Sequence, residues 1–204
     1  MVALRPVLPQ DFAILALQVP GVARAVALNL YNPADGSWTN ARTVTLILTD
    51  DNGLPVTADV KQAVEDNLEA LREVNWIVNV IDAVYESIAV DFTVTAYAGQ
   101  DQTTVHDACV ANVTTALSPV NFRLGALSPA IAGGEVIPPP QAGQPARRQV
   151  IRVNDLVALL DRTLGVDYVE AVTVNGAAAD HRLTQPYSLP EPGAITGTVH
   201  GAAT

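Results

Sequence analysis

The sequence predicts an α+β chain built as two small α/β sandwich domains, each with helices packed on one face of a mostly antiparallel sheet. Three observations predict it. A helix–turn–strand unit occurs near both ends, as DFAILALQVPGVARAVALNL at 11–30 and DLVALLDRTLGVDYVEAVTVN at 155–175. Between these units, runs of period two alternate with runs of period 3.6. And 49% of the residues are hydrophobic while only 5% are aromatic, so the cores are built from Val, Leu, Ile and Ala.

The repeated unit has a simple physical logic. Each copy opens on an Asp, Asp11 or Asp155, and each carries a Gly-Val pair ten residues on, Gly21-Val22 or Gly165-Val166. The carboxylate can accept from backbone N–H groups left free where a helix begins. The glycine can take the positive φ that ends a helix. The valine opens a strand.

Taken in order, Met1 to Gln10 is an extended leader with Pro6 and Pro9, and Asp11 to Val19 a short helix with Phe12, Leu15 and Ala16 on one side. Val22 to Leu30 is a strand, Asn32 to Arg42 a polar loop, and Thr43 to Thr49 (TVTLILT) a strand rich in β-branched residues. Asp50-Asp51-Asn52-Gly53 turns the chain. Thr57 caps a helix over 58–73, where Val60, Val64, Leu68 and Leu71 make one apolar face and Asp59, Glu65, Glu69 and Arg72 face solvent. Trp76 to Val84 returns as a strand, which completes a first domain over 7–85.

A second domain spans 86–200. Ile88, Val90, Phe92, Val94 and Ala96 alternate with Ala89, Asp91, Thr93, Thr95 and Tyr97, the pattern of a half-buried strand. A helix over 103–117 places Val105, Cys109, Val113 and Leu117 on one face. Residues 118–149 hold six prolines and four glycines, and a stretch this long without periodicity reads as a contact arm or a mobile segment. Val150 to Val153 resumes regular structure, the second helix–Gly–strand unit follows, Leu183 to Pro192 is a loop, and Ala194 to Val199 is a last strand.

The net charge of −10 argues against a nucleic-acid binder, which needs a basic face to neutralise phosphates. The lone Cys109 excludes an intrachain disulfide. The N-terminus lacks a signal-peptide pattern and no stretch reaches the roughly 20 apolar residues that span a bilayer, so the expectation is a soluble, intracellular chain with no membrane partner.

No catalytic, cofactor or metal site emerges. Asp50 to Gly53 has the composition of a calcium loop, but the position that needs a bidentate Glu is Lys61, so a turn is the better reading. His106, His181, His200 and Cys109 lack metal-ligand spacing. His106 and Cys109 are three apart on one helix, yet Cys109 lies on its apolar face, where a buried, inert thiol is expected. Gly133-Gly134 lacks the strand-to-helix context of a phosphate loop. Arg147-Arg148 is too short for a nucleic-acid patch and reads as a charged loop edge. Trp38 and Trp76 are either core or loop packing, or anchors for a partner.

In its order of elements the chain resembles the C-terminal part of the baseplate J-like family of contractile phage tails and related injection machines. The opening DFAILALQVPGVARAVAL is close to the family pattern D-[FY]-x-x-L-A-x-x-V-P-G-V-A-R-A, and VPGVARA (19–25) is its most specific piece. TVTLILTDDNGLPVTADVKQAVEDNLEALREVN, VNVIDAVYESIAVDFTVTAYAGQD, Leu117-Ser118-Pro119 with Phe122 and Gly125, VIRVNDLVALLDRTLGVDYVEAVTV and LPEPGAITGTV continue the match across nearly all of 7–200. Family members carry a further N-terminal region. The resemblance implies a non-enzymatic wedge subunit of a tail baseplate, joined with other baseplate and tail proteins into a homo- or hetero-oligomeric ring, assembled in the host cytoplasm and carried in the virion. It also implies a switchable scaffold, which needs surfaces arranged about an axis and two packings close in free energy. The candidate partner contacts are Pro138, Pro139, Pro140, Arg147 and Arg148 in the arm, and Trp38. The alternative is a small α/β ligand-binding or regulatory module.

Overall fold

The computed structural model describes residues 5–121, 135–141 and 149–202. In chain order the elements are α1 (Pro9–Ala16), β1 (Arg24–Asn29), β2 (Thr43–Thr49), α2 (Ala58–Leu71), β3 (Ile77–Ile81), β4 (Val84–Ala96), α3 (Gln102–Leu117), β5 (Glu135–Ile137), β6 (Val150–Ile151), α4 (Val153–Asp161), β7 (Val166–Val174), β8 (His181–Arg182) and β9 (Ser188–Gly201). They divide into two compact units, with 5–84 and 135–141 in one and 85–121 and 149–202 in the other.

In the first unit the sheet order is β3-β2-β1-β5. β1 and β2 pair antiparallel from Arg24↔Thr49 to Asn29↔Val44. β2 and β3 pair parallel, as do β1 and β5. The α+β class stands, with helices packed on the sheet, but this sheet is mixed where the sequence predicted mostly antiparallel pairing. The reason is the connection. A helix between two neighbouring strands carries the chain back to the end where the first strand began, so β2–α2–β3 is a parallel crossover. β5 is a second difference. It lies in the stretch expected to hold little regular structure and to belong with the second domain, yet it pairs with β1 through Val26↔Glu135, Ala27↔Val136 and Leu28↔Ile137. Three residues are too few to show a period, so this strand exists because of its pairing.

α1 starts two residues before Asp11, which sits at its third position. Asp11 Oδ2 accepts from the N–H groups of Val7 (2.8 Å) and Leu8 (2.7 Å), so the carboxylate closes the helix start although it is not the first residue. Gly21 then takes φ 93°, the left-handed turn expected of it. Thr57 caps α2, its Oγ1 accepting from Val60 N–H at 3.4 Å. The two helices cover one face of the sheet, and Val26, Leu28 and Ile47 on its other face are buried as well. Phe12, Leu15 and Ala16 of α1 and Val64 and Leu68 of α2 meet Ala25 and Ala27 of β1 and Val44, Leu46 and Leu48 of β2. Trp76 packs at the margin of this core, its ring centroid 5.1 Å from that of Phe12.

In the second unit the sheet order is β7-β4-β9. β4 pairs antiparallel with β7. Along β4 and β9 the contacts advance in step, since Gly193 lies beside Ile88, Thr196 bonds Asp91 and Gly197 lies under Phe92, the order of a parallel neighbour. The predicted alternation holds. Ile88, Val90, Phe92, Val94 and Ala96 face a core completed by Val105, Cys109, Val113 and Leu117 of α3 and Leu156 and Leu160 of α4. Asp101 caps α3 through Thr104 N–H at 2.9 Å. α4 begins two residues before Asp155, and its first N–H, on Val153, donates to Asp180 Oδ1 at 3.0 Å. Gly165 matches Gly21, with φ 93°. β9 starts at Ser188 and not at Ala194, because Pro190 and Pro192 signal a loop from sequence but are tolerated on the outer strand of a sheet. β6 and β8 form a short antiparallel ribbon.

Candidate functional site

Of the candidate contact residues, Arg147 and Arg148 lie outside the described residues. Pro138, Pro139 and Pro140 follow directly on β5, so they leave the sheet from a fixed point; Pro138 is exposed and the other two are half-buried. Trp38 is half-buried in the loop between β1 and β2, with its ring tilted against Tyr31 at 4.8 Å between centroids. That loop is held by its own side chains. Asn32 Oδ1 accepts from Ala34 N–H at 3.1 Å and Asp35 Oδ1 from Ser37 N–H at 2.9 Å. The Ser37 N–H and hydroxyl hold the Asp35 carboxyl below the usual range. The loop therefore holds Trp38, half-buried, on a shaped turn.

The other residues with chemical potential are committed to structure. Asp50 Oδ1 accepts from the N–H groups of Asn52 and Leu54, both at 2.8 Å, which makes the acidic tetrapeptide a closed turn. Cys109 is fully buried and burial pushes its thiol pKa up, against a smaller opposing contact from Thr163, so it is a poor nucleophile. His106 Nδ1 lies 3.1 Å from Asp107 Oδ1, and its ring tilts against Phe92. Among the described residues no group of three or more His, Cys, Asp or Glu side chains is placed to hold a metal ion.

Two polar clusters that sequence reasoning missed run along β4. At its start Glu86 Oε1 accepts from Thr184 N–H (2.7 Å) and Thr184 Oγ1 (2.6 Å). Burial opposes ionisation of Glu86, but Ser188, Thr184 and the neighbouring His181 outweigh it and hold the pKa below the ordinary value. At its end Thr95 Oγ1 donates to Glu170 Oε1 at 2.6 Å, and His200 Nδ1 lies 2.9 Å from the same oxygen. Thr95 and then His200 lower the Glu170 pKa. Glu170 is the extra residue of a β-bulge, since Thr93 pairs with Ala171 and Val94 with Val169. Bulge and cluster tie β7, β4 and β9 together. The first cluster joins β4 to the segment between β8 and β9 and the second joins three strands; partners 75 and 98 positions apart, as in Thr95–Glu170 and Glu86–Thr184, leave no trace of such pairing in a single sequence.

A third feature belongs to the first unit. An open groove of about 500 Å³ runs between β3 and the flank of α2, with Glu65, Asp66 and Glu69 on one side and Val78 and Val80 on the other. The sequence identified Glu65 and Glu69 as solvent-facing, but nothing in it placed them beside a sheet edge.

Together these features define an α+β chain of two sheet-and-helix units. A chain in the cryo-EM structure of the anti-feeding prophage baseplate, solved with six-fold symmetrisation, has the same fold: TM-score 0.61 over 93% of this chain at 10% sequence identity. The likeness covers 38% of that chain. No family model and no curated protein matches the sequence.

Proposed function

We propose that this chain is a structural subunit of a tail baseplate, in a phage or a phage-derived injection device, and that it corresponds to the C-terminal part of a baseplate J-like wedge protein. The observation that carries the reading is the fold shared with a baseplate chain over 93% of this chain's length. The segment VPGVARA supports the finer assignment. Its glycine is Gly21, the left-handed stop after α1, and its last two residues open β1, so the most specific piece of the resemblance is a fold-determining turn. In this role the chain works without turnover. It holds neighbouring baseplate proteins in a ring, with Trp38 and the Pro138–Pro140 segment among its contacts, binds neither nucleic acid nor membrane, and is carried at the tail end of the particle after assembly in the host cytoplasm.

The test is incorporation. Particles produced with an epitope-tagged copy of this chain should carry the tag at one end of the tail by immunogold microscopy. Complete, tagged-chain-free particles from the same cells would overturn the proposal.

A further inference from the structure

We propose that the outer edge of β3 is a docking site for an extended, basic segment of a neighbouring protein, which adds to the first unit's sheet as a further strand.

β3 ends the sheet, and among the described residues β2 is its only strand partner. Ile77 N–H donates to Arg42 C=O at 2.8 Å, so Ile77, Asn79 and Ile81 turn their backbone groups to β2. In a parallel pair the alternate residues turn theirs away. The N–H and C=O groups of Val78 and Val80 therefore point away from β2, to the outer edge of the sheet, where both residues line the groove. Outer strands are normally protected by charge, proline or bulges. The second unit follows that rule, with bulges in β7 and Pro190 and Pro192 in β9. β3 does not: it reads Ile-Val-Asn-Val-Ile and keeps regular register from Thr43↔Ile77 to Ile47↔Ile81. Ile77 is 58% exposed, and Val74, three residues before it, is 100% exposed.

The flank of α2 sets the chemistry of the occupant. Glu69 is taken by Arg72, whose Nη2 donates to Glu69 Oε1 at 2.7 Å. Lys61 is taken by Asp82 at 2.6 Å. Among the described residues Asp66 accepts only from the neutral Gln62 side chain, at 3.0 Å. Glu65 and Asp66 thus have, among the described residues, no cationic partner beside the open edge, which favours lysine or arginine on the incoming strand. A second copy of β3 would bring the same carboxylates with it and is disfavoured. Strand addition of this kind takes affinity from main-chain hydrogen bonds and selectivity from alternate side chains.

The inference deepens the baseplate reading and rests on it only for the origin of the segment. The probe is a capped seven-residue peptide alternating valine with lysine, added at millimolar concentration to the whole chain. Amide exchange at Val78 and Val80 should slow by about tenfold or more, the same peptide with glutamate for lysine should leave it unchanged, and an E65K/D66K variant should reverse that preference. Peptide binding without protection of Val78 and Val80, or binding indifferent to E65K/D66K, would overturn the proposal, as would no protection at all. A chain that enters baseplates but takes no peptide fails this inference alone; one that takes the peptide but enters no baseplate fails the assembly reading alone.

Discussion

Replacing Gly197 with alanine probes how closely the second unit is packed. A Cβ at this position would lie 2.6 Å from Phe92 Cδ2 and nearer still to Cε2 and Cζ. Phe92 is 1% exposed and sits among Val90, Val94 and the apolar face of α3, so the ring has little room to retreat. Overpacking of this kind costs about 1–3 kcal/mol, which for a unit of roughly a hundred residues lowers the melting temperature by about 4–8 °C per kcal/mol. F92L alone opens space at a cost of about 1–2 kcal/mol. In the double variant the added methyl enters that space, so the two costs will not add, and the cycle should show a favourable coupling of about 1 kcal/mol or more. Urea denaturation followed by far-UV circular dichroism is the assay, because both tryptophans, Trp38 and Trp76, lie in the first unit. A G197A chain within about 0.5 kcal/mol of the parent, or strictly additive variants, would refute the packing argument.

Three further outcomes follow from the geometry. G165A should be more destabilising than G21A: both residues have φ 93°, which costs a side chain about 1–2 kcal/mol, but a Cβ at 165 meets Val105 Cγ2 at 2.7 Å whereas one at 21 meets Val60 Cγ2 at 3.0 Å. Equal melting temperatures for the two would contradict this. L68A, at a fully buried position of α2, should cost about 2–5 kcal/mol and shift the tryptophan-fluorescence transition, since Trp76 packs against the same core. E86Q bears on pH. The Glu86 pKa is depressed in the folded chain, so its contribution is fully present above the ordinary glutamate value, near 4.3, and fades as pH falls through the lower folded value. The stability gap between parent and E86Q should therefore be widest near neutral pH and close on acidification, as read from melting temperatures in a pH series; a gap that widens toward low pH would show the sign to be wrong.

Much of the fold was legible in the sequence because its signals are local. The heptapeptide TVTLILT is a strand at the predicted bounds. The apolar rows Val105–Cys109–Val113–Leu117 and Val64–Leu68 are the buried faces of α3 and α2. Gly21 and Gly165 take the positive φ that the repeated unit called for. What was hidden is long-range. β5 has no pattern of its own and forms on β1. Pro190 and Pro192 look like loop residues until β9 is known to be an outer strand. The parallel return of β3 was implicit in strand–helix–strand order but not in any residue. The same division holds for the surfaces. Trp38 and the triple proline stand out by composition, whereas the groove at β3 depends on which strand ends the sheet.

A baseplate subunit, the role proposed above, works by assembling with other baseplate proteins. The most direct measurement is its mass in solution, by light scattering on a sizing column, alone and mixed with the baseplate proteins produced alongside it. A subunit of that kind should give a stable mixed complex or a ring well above the 21.4 kDa of the single chain. A chain that elutes at that mass alone and in every mixture would contradict it.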